Sequence, residues 1–438
     1  MRFIFSVMYL FIPLSAALAA EPSALPAPSA ESALSGERSG DFERRLQRLE
    51  SGAVPAPADP SQATADALNP AISLVLNGRL SALSEDPATY ALPGFALGPD
   101  VGPGERGFSL GESELWFSAN IDPNLYGSLT LALAPAGRAT EVDLEEAYLQ
   151  TLTLPYGLTF KAGRFNSRIG YLNEFHPHAD DFADRPLPYR ALFANSAGDE
   201  GVYADDGAHL RWLAPTDFFL ELGAELFRGE SFPAGGAANH GKGASTLFVH
   251  IGGDAGPSHA WRAGVSRLRA EARARATGAE AAPDLFTGTS SVNGVDFVWK
   301  WAPQGNPAIT NFKLQAEYFT RDEDGEFDPA SSGVPFPYSG EQRGWYAQAV
   351  YQFMPRWRMG LRFDRLNASA VDAALAGTVL DNRGHAPQRA SAMLDFSGSE
   401  FSRLRFQYNR DESRADARDN QWTLQYIVSL GAHGAHAF

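Results

Sequence analysis

The stretch "YLNEFHPHADDFADRPLPYR" (residues 171–190) carries six side chains able to hold a metal ion: Glu174, His176, His178, Asp180, Asp181 and Asp184. Imidazole nitrogens and carboxylate oxygens are donors for zinc and other divalent metals. In an extended chain, residues two apart point the same way, so His-Pro-His presents both rings on one side. Near neutral pH an unperturbed imidazole is mostly unprotonated and free to coordinate. A second reading needs no ion: the His and Asp side chains cap turns and tie the segment to arginines by hydrogen bonds. The residues alone leave both readings open. No thiol can contribute, because the chain has no cysteine, which also excludes disulfide stapling and Cys-based redox sites. His209, His250 and His259 stand singly in alternating segments and read as lumen or rim residues. His433 and His436 are three apart near the C-terminus, where a strand puts them on opposite faces. No His-Glu-x-x-His and no complete P-loop occurs, so the chain reads as a non-enzyme with no resident cofactor, zinc or a similar ion being at most a transported ligand.

The elements that would position these residues are strands. Leu125, Leu129, Leu131 and Leu133 alternate with Tyr126, Ser128 and Thr130. Phe218, Leu220, Leu222, Ala224 and Leu226 alternate with Glu221, Gly223 and Glu225. Trp357, Met359, Leu361 and Phe363 alternate with Arg358, Gly360, Arg362 and Asp364. This is period two, sustained in segments of about ten residues from residue 69 onward, and it excludes long helices there. The connectors alternate too. Tight ones such as "NIDPN" (120–124), "LPYG" (154–157), "APTD" (214–217) and "MPRW" (354–357) separate longer polar stretches near 83–107, 167–200, 229–243, 271–290, 322–342 and 369–387. Counting these gives about sixteen strands, with short turns at one end and long loops at the other, the texture of an outer-membrane barrel. Trp212, Trp261, Trp299, Trp301, Trp345, Trp357, Trp422 and Tyr426 sit where interfacial girdles would. In hydrocarbon every backbone group needs an internal partner, and with no helix available a closed barrel supplies them. The predicted fold is therefore all-β: a transmembrane antiparallel β-barrel over 69–438.

Residues 1–20 read as a cleaved signal peptide, with Arg2, an apolar core and Ala17-Leu18-Ala19 at its end. Residues 21–68 read as a disordered periplasmic segment holding one short helix, "DFERRLQRLE", with Phe42, Leu46 and Leu49 at heptad spacing. A net charge of −16 gives nucleic-acid binding no electrostatic support. The wet parity carries Arg79, Glu112, Glu114, Lys161, Arg211, Glu221, Glu225, Arg262, Lys300, Lys313, Arg358, Arg362, Asp364, Arg403 and Arg405, all expected to line a pore of mixed sign.

Two resemblances refine this. "GFSLGESELWFSANIDPNLYGSLTLAL" followed by "VDLEEAYLQTLTLPYGLTFKAGRFNSRIGYLNE" resembles phosphate-selective porins O and P, as does the short helix ahead of the barrel. That resemblance implies homotrimers and a third loop, residues 167–200, folded into the pore. "YALPGFALG", "RWLAPTDFFLELGAELFRGESFPAGGAANHG" and "GWYAQAVYQFMPRWRMGLRFDRL" look like short outer-membrane proteins described as zinc-regulated TonB-dependent receptors. Residues 21–68 are too few for the plug of such a receptor. The terminal Phe438 resembles the closing signal read by the barrel assembly machinery. The expected setting is the bacterial outer membrane, with lipid and lipopolysaccharide as partners. The expected role is a porin-like channel for small hydrophilic solutes, metal ions such as zinc among them. The alternative is a receptor-like, TonB-linked metal importer without a separate plug.

Overall fold

The structure, a computed structural model, describes residues 70–98, 101–136, 139–194, 201–236, 242–279 and 281–431. The expected signal peptide, the segment 21–68 with its helix, His433, His436 and Phe438 lie outside the described residues. Sixteen antiparallel strands close into one barrel. In chain order they are β1 Ala71–Leu83, β2 Gly107–Leu110 continuing as Ser113–Asp122, β3 Leu125–Ala136, β4 Ala139–Thr151, β5 Leu158–Asn166, β6 Ala204–Leu213, β7 Phe219–Phe227 and β8 Ala244–Asp254. They continue as β9 His259–Thr277, β10 Asp284–Trp301, β11 Asn311–Asp328, β12 Phe336–Met354, β13 Trp357–Ala368, β14 Gln388–Ser399, β15 Ser402–Glu412 and β16 Asp419–Gly431. Each pairs with its chain neighbours, and β1 closes on β16 from Ser73 opposite Gly431 to Leu83 opposite Gln421. The closing strand is thus the apolar-alternating segment of residues 421–430.

Alternation decides what each wall carries. Leu76, Leu247, Val265, Val295, Leu361, Leu404 and Leu424 face outward and are exposed. Such a band is costly in water and suited to hydrocarbon. The inward parity is polar, and Asn77, Glu221, Asp296, Gln315, Asp395 and Gln425 are buried there.

Two segments expected as long loops, 271–290 and 322–342, are strand instead. β9 runs on to Thr277 and β10 begins at Asp284; β11 runs on to Asp328 and β12 begins at Phe336. Their polarity is inverted relative to the lower barrel. Leu268, Ala270 and Ala272 face inward and are buried, while Arg267, Arg269 and Glu271 face outward. Above a lipid band the outer wall meets water, so charge belongs outside. The inner wall there meets folded loops, so apolar side chains belong inside. A polar stretch in this region is a strand in a different solvent rather than a loop.

What fills the upper barrel is mainly the described part of the connector between β5 and β6, residues 167–194 and 201–203. It holds two single-turn 3-10 segments, Leu172–Glu174 and Pro177–Ala179, and one short helix, α1 Leu187–Phe193. Every residue of α1 is buried. Ile169, Leu172, Leu187, Tyr189, Leu192 and Phe193 pack with wall residues Phe165, Phe227, Leu268, Val292, Phe319, Tyr346 and Leu366. Leu92 and Phe95, from the connector between β1 and β2, join the same cluster. The loop therefore folds inward, as the resemblance implied.

Candidate functional site

Polar anchors hold the loop across the lumen. The carboxylate of Glu317 on β11 accepts from the backbone N–H of Tyr171 (2.8 Å) and of Leu172 (3.1 Å), and from the Tyr189 hydroxyl (2.9 Å). Glu174 pairs with Arg168 at 2.9 Å and with Arg262 on β9. Asp180 pairs with Arg185 at 3.0 Å, inside the loop itself. Asp181 meets Lys313 on β11 (3.1 Å) and Arg358 on β13 (3.0 Å). Asp184 meets Arg362 on β13 (2.8 Å) and Arg389 on β14 (2.6 Å). Arginines also seize loop carbonyls: Arg403 donates to His178 O at 2.6 Å and Arg405 to Asp180 O at 2.8 Å. Burial opposes ionisation of Asp181 and Asp184, but Lys313 with Arg358, and Arg389 with Arg362, outweigh it and hold both carboxyls well below the usual range.

The six expected loop ligands therefore do not gather at one point. Glu174, Asp180, Asp181 and Asp184 each face guanidinium or ammonium groups: Glu174 meets Arg168 and Arg262, Asp180 meets Arg185 within the loop, and the arginines of β13 and β14 attract Asp181 and Asp184. His176 and His178 turn the other way. Their rings stack at 5.9 Å between centroids and face carboxylates on β2 and β4. His176 Nδ1 lies 3.4 Å from Glu114 and 3.3 Å from Glu145, and its Nε2 lies 3.1 Å from Glu146. His178 Nδ1 lies 2.5 Å from Glu114. Burial favours a neutral His176 ring, but Glu114, Glu145 and Glu146 outweigh it and raise His176 well above the usual imidazole value.

Two irregularities in the wall make this acidic pocket. In β2, Leu110 lies opposite Gly78 and Glu114 opposite Val75, so Gly111, Glu112 and Ser113 face only two residues of β1. A Cβ on Gly111 would meet the Asn77 side chain at 2.6 Å, so a larger residue there would have to displace that side chain. In β4, Glu146 lies opposite Thr130 and Leu144 opposite Leu131, which makes Glu145 the extra residue of a bulge. Bulges re-aim side chains. Here the bulge lets two consecutive glutamates reach His176, where strict alternation would send one into the outer wall. Glu145 and Glu146 were missed from the sequence, although two adjacent carboxylates in mid-strand are the signal that could have found them.

The expected pore residues all lie on the inward parity. Glu114, Glu221, Glu225, Arg262, Lys300, Arg358, Arg362, Asp364, Arg403 and Arg405 are buried. Most are neutralised in place: Glu221 by Arg168 (2.7 Å) and Arg211 (2.9 Å), Asp364 by Arg362 (3.1 Å) and Arg389 (2.8 Å), and Asp395 by Arg358 (2.6 Å) and Arg405 (2.8 Å). Arg79, Glu112, Lys161, Arg211 and Lys313 keep partial exposure. Four of those five stand on β1–β6, whereas most of the loop's ion pairs are made with β9 to β14. His209 and His250 face inward against Glu225 and Glu221, and His259 stacks on Trp299 at the rim. Gly107-Phe108-Ser109-Leu110-Gly111 spells a serine-hydrolase pattern, but Ser109 sits in β2 paired to β1, not on a strand-to-helix elbow.

No family model matches the chain. The barrel is similar to the loop-L8 deletion form of OmpT, an outer membrane protein of Vibrio cholerae, with a TM-score of 0.50, 11% identity, and 83% of this chain and 99% of that one covered. Its likeness to the outer membrane channel DcaP of Acinetobacter baumannii has a TM-score of 0.46, with 12% identity over 82% of this chain and 96% of that one. The first of these shows a shared porin-like barrel fold. An uncharacterized protein of Aquifex aeolicus (strain VF5) is 30% identical over 354 residues, 76% of this chain and 71% of its own length. With that identity spread over more than two thirds of each chain, the protein belongs to the family of this Aquifex aeolicus protein.

Proposed function

We propose that the protein is a passive outer-membrane channel for small hydrophilic solutes, narrowed by its own infolded segment 167–194. The observation that carries this is the infolded loop: it is fixed to the β11–β14 wall through Glu317, Asp181 and Asp184, and reaches β2 through the contact of His178 with Glu114. The exposed apolar outer band supports residence in the outer membrane, the setting of the Vibrio cholerae protein that shares the fold. Paired lumen charges leave little net field, so the channel prefers ions of neither sign strongly, phosphate included. Divalent metal ions belong among its permeants, because Glu112, Glu145 and His176 lie together on the inner side of the barrel with part of their surface exposed. Liposome swelling with sugars of graded size tests the reading. Small sugars should enter and large oligosaccharides should not; vesicles impermeable to every sugar would overturn it.

A further inference from the structure

We propose that Glu112, Glu114, Glu145 and His176 form a binding site for a first-row divalent transition cation, which clamps the infolded loop to the barrel wall. One donor atom from each of the four lies within 4.8 Å of the others. An ion bonded at about 2.1 Å holds opposite donors no more than about 4.2 Å apart, so small side-chain rotations close the shell. The four donors come from three separate places in the chain: β2, β4 and the loop. Both contributing strands are irregular at the donor, with Glu145 itself the extra residue of the β4 bulge. A regular β4 would leave one of Glu145 and Glu146 facing the outer wall.

The donor set selects the class of ion. Three carboxylates around one imidazole suit zinc, manganese, iron or nickel. Calcium and magnesium prefer all-oxygen shells, and copper(I) prefers sulfur. His176 is the one nitrogen donor of the four, set among carboxylate oxygens of Glu112, Glu114 and Glu145. His178 takes a different part. Its Nδ1 holds Glu114 from behind at 2.5 Å, the outer contact that orients a ligand carboxylate. Access is open from the lumen, since the side chains of Glu145 and His176 keep 20% and 13% of their exposure.

The cation site stands independently of channel activity; only the clamping role rests on the channel reading. The test uses the full-length folded protein in detergent, stripped with a chelator and titrated with zinc or manganese in excess calcium, with metal per chain read by elemental analysis. About one equivalent should be retained. His176→Ala and the isosteric Glu145→Gln should each weaken binding by about tenfold or more. Glu341→Gln, an exposed carboxylate away from the loop, should bind like wild type. Substoichiometric metal in the wild type, or an equal loss in Glu341→Gln, would overturn the site. Chelation should also speed thiol labelling of a cysteine placed at Ala183 in the wild-type background but not in His176→Ala; equal rates with and without metal would overturn the clamp. Protein that binds metal yet passes no solute sinks the channel reading alone.

Discussion

Asp184→Asn perturbs the strongest anchor of the loop. The Asp184 carboxylate accepts from Arg362 (2.8 Å), Arg389 (2.6 Å), Gln407 (2.6 Å) and Asn409 (3.1 Å). Asparagine keeps one acceptor and turns an amide N–H against the other guanidinium. Removing one member of a buried pair costs about 3–5 kcal/mol when its partner is orphaned. Here Asp364 still faces both arginines, at 3.1 and 2.8 Å, so the loss falls nearer that of one charged hydrogen bond with a mismatched donor, about 2–3 kcal/mol. The population in which the anchored segment opens should then rise about 30- to 150-fold. The chain has no native cysteine, so one placed at Ala183, buried beside the anchor, is a clean reporter. When opening is fast relative to labelling, the rate tracks that population. Thiol modification should speed up by the same factor in Asp184→Asn. A rate within about threefold of the parent would refute the idea that these ion pairs hold the loop.

Three further outcomes follow from the same geometry. A Cβ at Gly344 on β12 would meet Pro188 of α1 at 3.0 Å, so Gly344→Val should lift the helix and expose a cysteine at Ala191 to labelling, while the barrel still migrates as folded. Leu361 is 68% exposed on the outer wall, so Leu361→Arg should cost about 2–4 kcal/mol of folding stability in bilayers, read as a lower urea midpoint. Asp181 and Asp184 have depressed folded-state pKa values, so their stabilisation is present above the ordinary carboxyl value and is lost only as pH falls through the lower, folded one. Swelling rates should therefore match at pH 7 and about pH 4; a marked rise at about pH 4 would show the anchors to be ordinary carboxylates.

The lower barrel was plain in the sequence because lipid and lumen differ sharply, and β13 shows it in every residue from Trp357 to Asp364. The upper barrel was not. β9 continues through Ala270 and Ala272 with its polarity reversed, and a period-two reading that expects greasy residues outside mistakes that for a loop. The inward loop came from a resemblance rather than from its residues, although Leu187 to Phe193 are too apolar for an exposed connector. At the candidate site, both the metal reading and the tethering reading drew on real features, in different residues. The aspartates tether, and the two histidines face an acidic pocket. That split depends on which wall each side chain meets, which spacing along one chain does not encode. Glu145 was hidden because a bulge breaks the alternation on which the strand reading relies.

Single-channel recording of the refolded full-length protein in planar bilayers tests the central claim most directly. The account predicts small, steady, weakly selective conductance, and a severalfold larger one when residues 172–194 are replaced by a short linker. No conductance from correctly folded protein, or the same conductance without the loop, would contradict it.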